Sequence, residues 1–216
     1  MISVVVTVTE RPTRLADLYH AHAAVLRQSE HEFEFIFVLQ PWYGDLAAPL
    51  LALREDGEPI RVLEVAQGVG EAELLRLGVE RARGDVVVSM PGYWRVEAAS
   101  VPRLIDGVAA GTDMVVARRW PRRDSEVNRL QNRLFHALVR SVSGSEFRDL
   151  ACGVRAFRRE VLEEVPLYGD FHRFLPLLAE RRGFGVEEMD APQHPDDVGR
   201  RLHSPGVYLR RVLDIL

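Results

Sequence analysis

Arginine side chains are the groups in this sequence best suited to bind phosphate. All 28 basic residues are arginines, and Arg118, Arg119, Arg122 and Arg123 fall within six consecutive positions after a predicted strand. A guanidinium group is planar and binds a phosphate or a carboxylate through two parallel hydrogen bonds. The composition of the chain favours arginine, and the run is then a solvated loop; the alternative is that some of these side chains bind phosphates or carboxylates.

The carboxyl end of the apolar strand 86–90 is a second candidate site. The carboxyl ends of parallel strands commonly form the ligand site of an α/β protein. Pro91, Gly92 and Tyr93 follow this strand, and Arg95 comes two positions later. None of the three residues supplies a carboxylate, which is the ligand that a hard divalent cation prefers. Arg95 would repel a cation. The sequence therefore predicts no metal at this strand end.

The composition predicts one α/β domain and excludes several other classes of protein. The chain has 216 residues, 47% of them hydrophobic, and a net charge of −4, which argues against a protein that wraps nucleic acid. The single cysteine, Cys152, excludes an internal disulfide and a cysteine-based zinc site. No signal peptide or long apolar run is present. We therefore expect a cytoplasmic chain, with peripheral attachment to the inner face of a membrane through the amphipathic segment 207–216 as the alternative.

Apolar β-branched runs alternate with segments of helical period, a pattern typical of βαβ units around a mainly parallel sheet. The predicted strands cover residues 2–8, 33–39, 60–65, 85–90, 113–118, 151–158 and 185–189. The first predicted helix begins near Pro12. The other predicted helices cover residues 70–83, 98–110, 124–142, 159–165 and 171–182. The longest carries Leu130, Leu134, Leu138 and Val142, a spacing typical of an amphipathic helix.

Several short motifs, in this order and spacing, carry a resemblance to a known family. Ser3-Val4-Val5-Val6 stands in the first strand, Gly84-Asp85 precedes the fourth, and Arg148-Asp149-Leu150-Ala151-Cys152-Gly153 opens the best-matching segment, 148–159. The chain resembles the family 2 glycosyltransferases, and among them the dolichyl- or polyprenyl-phosphate glycosyltransferases. The resemblance implies a single GT-A domain over residues 1–216, a Rossmann-like, mainly parallel sheet flanked by helices. It also implies a nucleotide-type half, 1–118, and an acceptor-type half, 119–216.

The resemblance also assigns functional roles to individual positions. In that family an Asp-x-Asp triplet holds a divalent cation that stabilises the leaving diphosphate; here the triplet falls on residues 91–93, so no cofactor is expected and a divalent metal is not expected. Asp149 matches an aspartate near the catalytic centre. The implied donor-cleft residues are Thr7, Thr9, Glu10, Gln40, Gly70, Pro91, Tyr93, Arg95 and Arg118. The implied acceptor-side residues are Arg155, Arg158, His172 and Arg173. The family's glycine, serine, lysine and tyrosine signature falls on residues 199–204 and is only partly retained.

Three hypotheses about function follow. The first is a non-catalytic homologue that binds or regulates an active glycosyltransferase, or forms a homo-oligomer, with four aromatic residues (Trp42, Tyr43, Tyr93 and Trp94) filling the donor mouth or forming a contact surface. The second is an active, metal-independent enzyme that moves a hexose from a nucleotide sugar to a polyprenyl-phosphate-like acceptor. The third is a cleft for an unrelated small ligand. The expected ligands are a nucleotide sugar or a lipid phosphate.

Overall fold

A computed structural model describes residues 1–29, 31–124, 126–167 and 171–197. The motif at 199–204 and the amphipathic segment 207–216 lie outside the described residues. Of several side chains in the helix 126–143, including those of Leu138 and Val142, nothing is described. Among the described helices, none combines the length and the apolar character needed to cross a membrane.

Seven strands form one sheet in the order β3-β2-β1-β4-β6-β5-β7. Only β6 runs antiparallel to its neighbours, β4 and β5. This confirms the predicted α/β class with a mainly parallel sheet in a single domain. The strands are β1 (Ile2–Val8), β2 (Phe33–Leu39), β3 (Ile60–Glu64), β4 (Val86–Pro91), β5 (Met114–Arg119), β6 (Arg155–Arg158) and β7 (Val186–Ala191).

Helices cover both faces of this sheet. Short 3-10 segments precede three of them, at Pro41–Leu46, Ala98–Ser100 and Phe171–Phe174. The helices are α1 (Leu15–Gln28), α2 (Ala47–Glu55), α3 (Glu71–Glu80), α4 (Val101–Ala109), α5 (Glu126–Ser143), α6 (Glu160–Glu164) and α7 (Leu175–Arg181).

Two elements differ from the sequence-based expectation. The sequence predicted no helix at α2, although Pro49 lies in its first turn, where a proline costs no backbone hydrogen bond. The predicted strand 151–158 is wrong in its first half, because β6 begins only at Arg155. Gly153 has a φ of 79°, which an extended strand does not accommodate, so the preceding residues turn instead.

Alternating side chains of the strands build a core on each face of the sheet. Val4, Val6 and Val8 of β1 pack with α1, α2 and α4, whereas Val5 packs on the opposite side with α3, α6 and α7. Helix α3 lies very close to the sheet, since a Cβ atom on Gly78 would stand 2.3 Å from Cγ1 of Val5. This close approach fixes the amino end of α3 beside the carboxyl end of β1.

Candidate functional site

The candidate site lies where β1, β2 and β4 end. These strands are adjacent and parallel, and the register places Thr7 beside Val38 and Pro91. The backbone N–H of Gly92 donates to the carbonyl of Thr7 over 2.8 Å, and that of Gln40 donates to the carbonyl of Val8 over 3.3 Å. Three of the predicted donor-cleft residues, Thr7, Gln40 and Pro91, therefore lie at one edge of the sheet.

The end of β4 is packed rather than open. Pro91 and Gly92 are buried, and a Cβ atom on Gly92 would lie 3.0 Å from Cγ2 of Val8. Burial raises the pKa of the Tyr93 phenol, the nearby guanidinium of Arg95 acts to lower it, and the carboxylates of Glu71 and Glu10 raise it further. Tyr93 and Glu10 are thus close to the strand end, as the sequence predicted for the donor cleft.

Arg95 is held in place by three acceptors. Its Nε donates to the carbonyl of Cys152 over 2.8 Å, its Nη2 to the carbonyl of Ala151, and its Nη1 to Oδ1 of Asp197 over 3.1 Å. The guanidinium carbon also lies 5.5 Å from the centre of the Tyr93 ring. Because these acceptors occupy the planar fork, Arg95 joins β4 to the segment around Cys152.

Asp149 is the predicted catalytic carboxylate, and it is bound on both oxygens. Its Oδ2 and Oδ1 accept hydrogen bonds from Nε and Nη2 of Arg119 over 2.7 and 2.8 Å, and Arg122 lies 3.5 Å away. Burial acts to raise the pKa of Asp149, but the charge of Arg119 and its hydrogen bonds hold that pKa well below the usual range. A carboxylate with a pKa this low is a poor general base, because it binds a proton too weakly.

Asp197 completes this network of buried charges. It accepts from Arg95 over 3.1 Å and from Arg119 over 3.1 Å, and Nε2 of Gln193 donates to its Oδ2 over 2.9 Å. The network ties the segment after β7 to the ends of β4 and β5. The sequence analysis named Arg119 only as one member of the arginine run and not among the residues of the cleft, and it missed Asp197 altogether.

A second polar cluster joins the predicted donor and acceptor residues. Glu71, the first residue of α3 after Gly70, accepts a hydrogen bond from Thr7 over 3.2 Å and lies 3.1 Å from Nε2 of His172. Arg155 donates to the backbone carbonyl of His172 over 2.8 Å, and burial lowers the pKa of Arg155 to about 10. The structure thus brings Thr7, Gly70, Arg155 and His172 together around Glu71.

Three polar atoms, two next to this cluster and one directly after β1, are buried and lack a hydrogen-bond partner within the described part of the chain. They are Oγ1 of Thr9, Nδ1 of His172 and Nε of Arg173. The charge of Arg173 acts on both Glu71 and Tyr93, so Arg173 lies close to the same strand ends. Buried polar atoms normally have a hydrogen-bond partner, and these three are therefore available to bind a polar ligand or water.

The aromatic residues at the strand ends divide into two groups. The ring of Trp94 stacks on His194 at 4.3 Å and on His22 at 6.0 Å, which fills space beneath the cleft. Trp42 remains 62% exposed and lies against Gly68, where a Cβ atom would stand 2.7 Å from its ring. The side chain of Gln40 is fixed to the backbone of Val69. Of the four aromatic residues that the sequence analysis placed at the donor mouth, only Trp42 is exposed.

Two predicted site residues lie away from these strand ends. Arg118 forms a two-point ion pair with Asp190 and borders a groove of about 700 Å³ along β7. Arg158 pairs with Val86 at the start of β4, the end opposite to Pro91, and lies 3.7 Å from Asp113. The structure therefore does not bring Arg118 or Arg158 together with the other predicted site residues.

The residues at the end of β4 do not fit a divalent cation. The side chains of Pro91 and Gly92 carry no ligand atom, and the guanidinium of Arg95 lies beside Tyr93. Within the part of the chain that the structure describes, no three His, Cys, Asp or Glu side chains are grouped so that they could hold a metal ion.

Several curated proteins that share one name are similar to this chain in sequence. The undecaprenyl-phosphate 4-deoxy-4-formamido-L-arabinose transferase of Pseudomonas fluorescens SBW25 is 29% identical over 180 residues, which are 82% of this chain and 52% of that protein. The proteins of the same name from Pseudomonas fluorescens Pf-5 and Proteus mirabilis HI4320 are each 26% identical, over 100% and 91% of this chain and 64% and 61% of their own length. The chain thus spans between half and two thirds of these relatives.

Solved structures with the same fold come from Mycobacterium tuberculosis. Glucosyl-3-phosphoglycerate synthase in complex with Mn²⁺, UDP and phosphoglyceric acid superposes with a TM-score of 0.69, 20% identity, and coverage of 98% of this chain and 75% of that chain. Its complex with Mn²⁺, UDP-glucose and phosphoglyceric acid gives a TM-score of 0.70, 18% identity, and coverage of 98% and 77%. These structures confirm the GT-A fold.

The same structures correct one expectation. The sequence analysis expected no divalent metal, and that prediction is wrong for this fold, because both of these complexes contain Mn²⁺ together with a uridine nucleotide. The expectation rested on the side chains of residues 91–93 of this chain.

The family resemblance is supported independently of the fold. The model of the family described as "Glycosyl transferase family 2" matches residues 3–166. This range holds β1 to β6 except for the first residue of β1 and extends through α6, so it includes both polar clusters around Asp149 and Glu71 apart from their partners after residue 166. The chain belongs to glycosyl transferase family 2.

Proposed function

We propose that this chain is a non-catalytic member of its family, which binds a phosphate-containing ligand and serves as a binding or regulatory subunit. The observation that carries the proposal is the state of Asp149, whose two oxygens are bound by Arg119. The end of β4 adds to it, because residues 91–93 supply no carboxylate that could hold a cation beside a leaving diphosphate. A cleft without these two groups retains binding and loses transfer.

Ligand binding is supported by the cluster around Glu71. Among the described residues, no partner is found for a buried nitrogen of His172, a buried nitrogen of Arg173 and the buried hydroxyl of Thr9, which directly follows β1. A phosphate oxygen accepts hydrogen bonds from all three kinds of donor. The charges of Arg173 and Arg155 outnumber the single carboxylate of Glu71 in this cluster, and an anion is therefore the ligand of matching charge.

The names of similar proteins suggest which anions to test. The curated relatives are named for undecaprenyl phosphate, and the complexes of the similar structures contain UDP or UDP-glucose. We propose a nucleotide sugar or a polyprenyl phosphate as the ligand, with residues 1–118 as the nucleotide-type half and 119–216 as the acceptor-type half. A location at the inner face of the membrane is part of this proposal.

The proposal is tested by measuring binding and transfer side by side. Calorimetric titrations with UDP, GDP, their sugar derivatives and detergent-solubilised undecaprenyl phosphate, each with and without Mn²⁺ or Mg²⁺, should show binding of at least one ligand. Assays for transfer of a labelled sugar under the same conditions should show no product above background. Product formed with or without added metal would refute the non-catalytic role, and no binding to any of these ligands would refute the assigned ligand class.

Replacing Arg173 by glutamine is expected to weaken binding of the ligand found in those titrations about tenfold, because a charge-assisted hydrogen bond contributes about 1.5 kcal/mol or more. The dissociation constant from calorimetry checks this. Arg54→Gln is the matched control: it removes the same charge from an exposed position on α2, away from the cleft, and should leave the affinity unchanged. Equal affinities of the Arg173 variant and the wild type would remove Arg173 from the site.

A further inference from the structure

Helix α5 exposes apolar side chains to solvent. Leu130 is 56% and Leu134 is 63% exposed, whereas Val139 is buried with 2% of its surface accessible. His136, one turn before Val139, is buried as well. The helix therefore packs on the domain through the face that carries His136 and Val139 and presents a different apolar face outward.

The outward face is continuous along the helix. Leu130, Leu134 and Ala137 follow one another at spacings of four and three, which places them on one side of an α-helix. All three are exposed. His136 and Val139 lie on the opposite side by the same spacing rule, so the exposed leucines do not belong to the core-facing stripe.

Positive charge flanks these leucines. Arg129, Arg133 and Arg140 of α5 are all exposed, and Glu126 is the one acidic residue of the helix, 3.7 Å from Arg129. The helix thus carries a net positive charge, although the whole chain has a net charge of −4. A positive patch on an otherwise acidic protein selects an anionic surface.

A further exposed apolar residue lies near α5 in the sequence. Trp120, at the end of β5, is 57% exposed, and the guanidinium carbon of Arg118 lies 5.7 Å from the centre of its ring. Of the five large hydrophobic residues that are exposed in the described part of the chain, three are Trp120, Leu130 and Leu134. Tryptophan and leucine beside arginine are the residue types of helices and loops that bind at the interface of a bilayer.

Charge complementarity distinguishes between two possible partners for the exposed face of α5, a second copy of the chain and a lipid surface. A second copy of α5 packed on the leucines would bring the flanking arginines of the two copies near each other, and like charges at short distance repel. A lipid surface offers acyl chains to the leucines and phosphates to the arginines at the same time. An anionic bilayer satisfies both features, and a second copy satisfies only one.

We propose that α5 binds the surface of an anionic lipid bilayer. The helix lies in the plane of the interface, with Leu130 and Leu134 inserted at the boundary between head groups and acyl chains. Arg129, Arg133 and Arg140 contact lipid phosphates. The proposal rests on the exposure and charge of α5 and does not depend on whether the cleft transfers sugar.

The test is sedimentation of the protein with vesicles of phosphatidylcholine alone and of phosphatidylcholine mixed with phosphatidylglycerol. The wild type should bind the mixed vesicles, and added salt should release it, because screening weakens attraction between exposed charges. Arg133→Gln/Arg140→Gln should weaken binding about 25-fold, since each arginine at an anionic surface contributes roughly fivefold. Leu130→Gln/Leu134→Gln should weaken it at least about tenfold through lost apolar burial.

Matched controls separate this surface from charge in general. Arg54→Gln/Arg103→Gln removes the same charge from exposed positions on α2 and α4 and should retain the vesicle affinity of the wild type. Thermal melts of all variants check that the fold is intact, which is expected because every changed side chain is exposed. Equal binding to both kinds of vesicle, or equal losses in the α5 and control variants, would overturn the proposal. A dimer that the leucine variant dissociates without loss of vesicle binding would assign the face to a second copy instead.

Discussion

Replacing Arg119 by alanine is expected to lower the free energy of unfolding by about 3–5 kcal/mol, because it leaves a buried carboxylate without its partner. Arg119 and Asp149 are both buried, and two hydrogen bonds of 2.7 and 2.8 Å join their side chains. Asp197 would lose its contact with Arg119 as well. Urea or thermal unfolding measures the change; in a domain of this size it corresponds to a fall of about 10 °C in Tm.

Arg118→Ala is the control for this experiment. Arg118 precedes Arg119 on β5, and its ion pair with Asp190 is formed at the surface, where such pairs contribute about 0–1 kcal/mol. The two variants remove the same side chain from neighbouring positions and differ in burial. Similar losses in both would contradict the buried network, and a loss below about 1 kcal/mol for Arg119→Ala would show that Asp149 finds another partner.

The same pair of residues shows why the sequence could not identify the site completely. Successive side chains of a strand point to opposite faces, so the run of arginines had to place Arg118 and Arg119 on different sides of β5. The side of β5 that faces Asp149 is set by long-range contacts: Arg119 contacts Asp149, 30 residues away in the sequence, and Asp197, 78 residues away. No local pattern contains that information. The sequence analysis therefore named both arginines in the run but assigned only Arg118 to the donor cleft, whereas the structure buries Arg119.

The fold was more predictable than the site because it depends on local apolar patterns. β1 and β2 have the predicted bounds, and the other parallel strands differ by no more than about two residues. Buried parallel strands are nearly continuous in apolar character, which makes their position visible. The segment before β6 has the same small apolar residues, but the turn at Gly153 depends on tertiary contacts such as those of Arg95 with Ala151 and Cys152.

Glu71 is the residue that sequence reasoning missed most clearly. Gly70 was predicted as a cleft residue, and Glu71 follows it in the first turn of α3, where an acidic side chain is favoured by the helix dipole in any helix. That ordinary explanation hides the contact with His172, which lies about 100 residues later. The structure shows Glu71 as the link between the predicted donor residue Thr7 and the predicted acceptor-side residue His172.

Replacing Glu71 by glutamine is expected to lower stability by about 2 kcal/mol near pH 6 and by nearly nothing near pH 2. Burial acts to raise the pKa of Glu71, but the hydrogen bond with His172 and the charges of His172, Arg173 and Arg155 lower it from 4.5 to about 2. A fall of this size corresponds to about 3 kcal/mol at full burial. We expect less because 23% of the side chain is exposed.

The direction of the pH dependence follows from which state binds the proton more tightly. The unfolded chain takes up a proton on Glu71 near pH 4.5, whereas the folded chain does so only near pH 2. The stabilisation is therefore complete above pH 4.5 and is lost as the pH falls towards 2. Denaturant unfolding of the wild type and of Glu71→Gln between pH 2 and 7 measures the difference.

Glu73→Gln provides the matched control on the same helix. The side chain of Glu73 is 39% exposed and pairs with Arg76 at the surface, so its replacement should change stability by no more than about 0.5 kcal/mol across this range. A difference between the wild type and Glu71→Gln that stays constant from pH 6 to pH 2 would mean that the contribution of Glu71 comes from packing and not from its charge. A difference that instead disappears with acid, while the Glu73 control stays flat, would show that the ionised carboxylate of Glu71 holds the donor and acceptor sides of the cleft together.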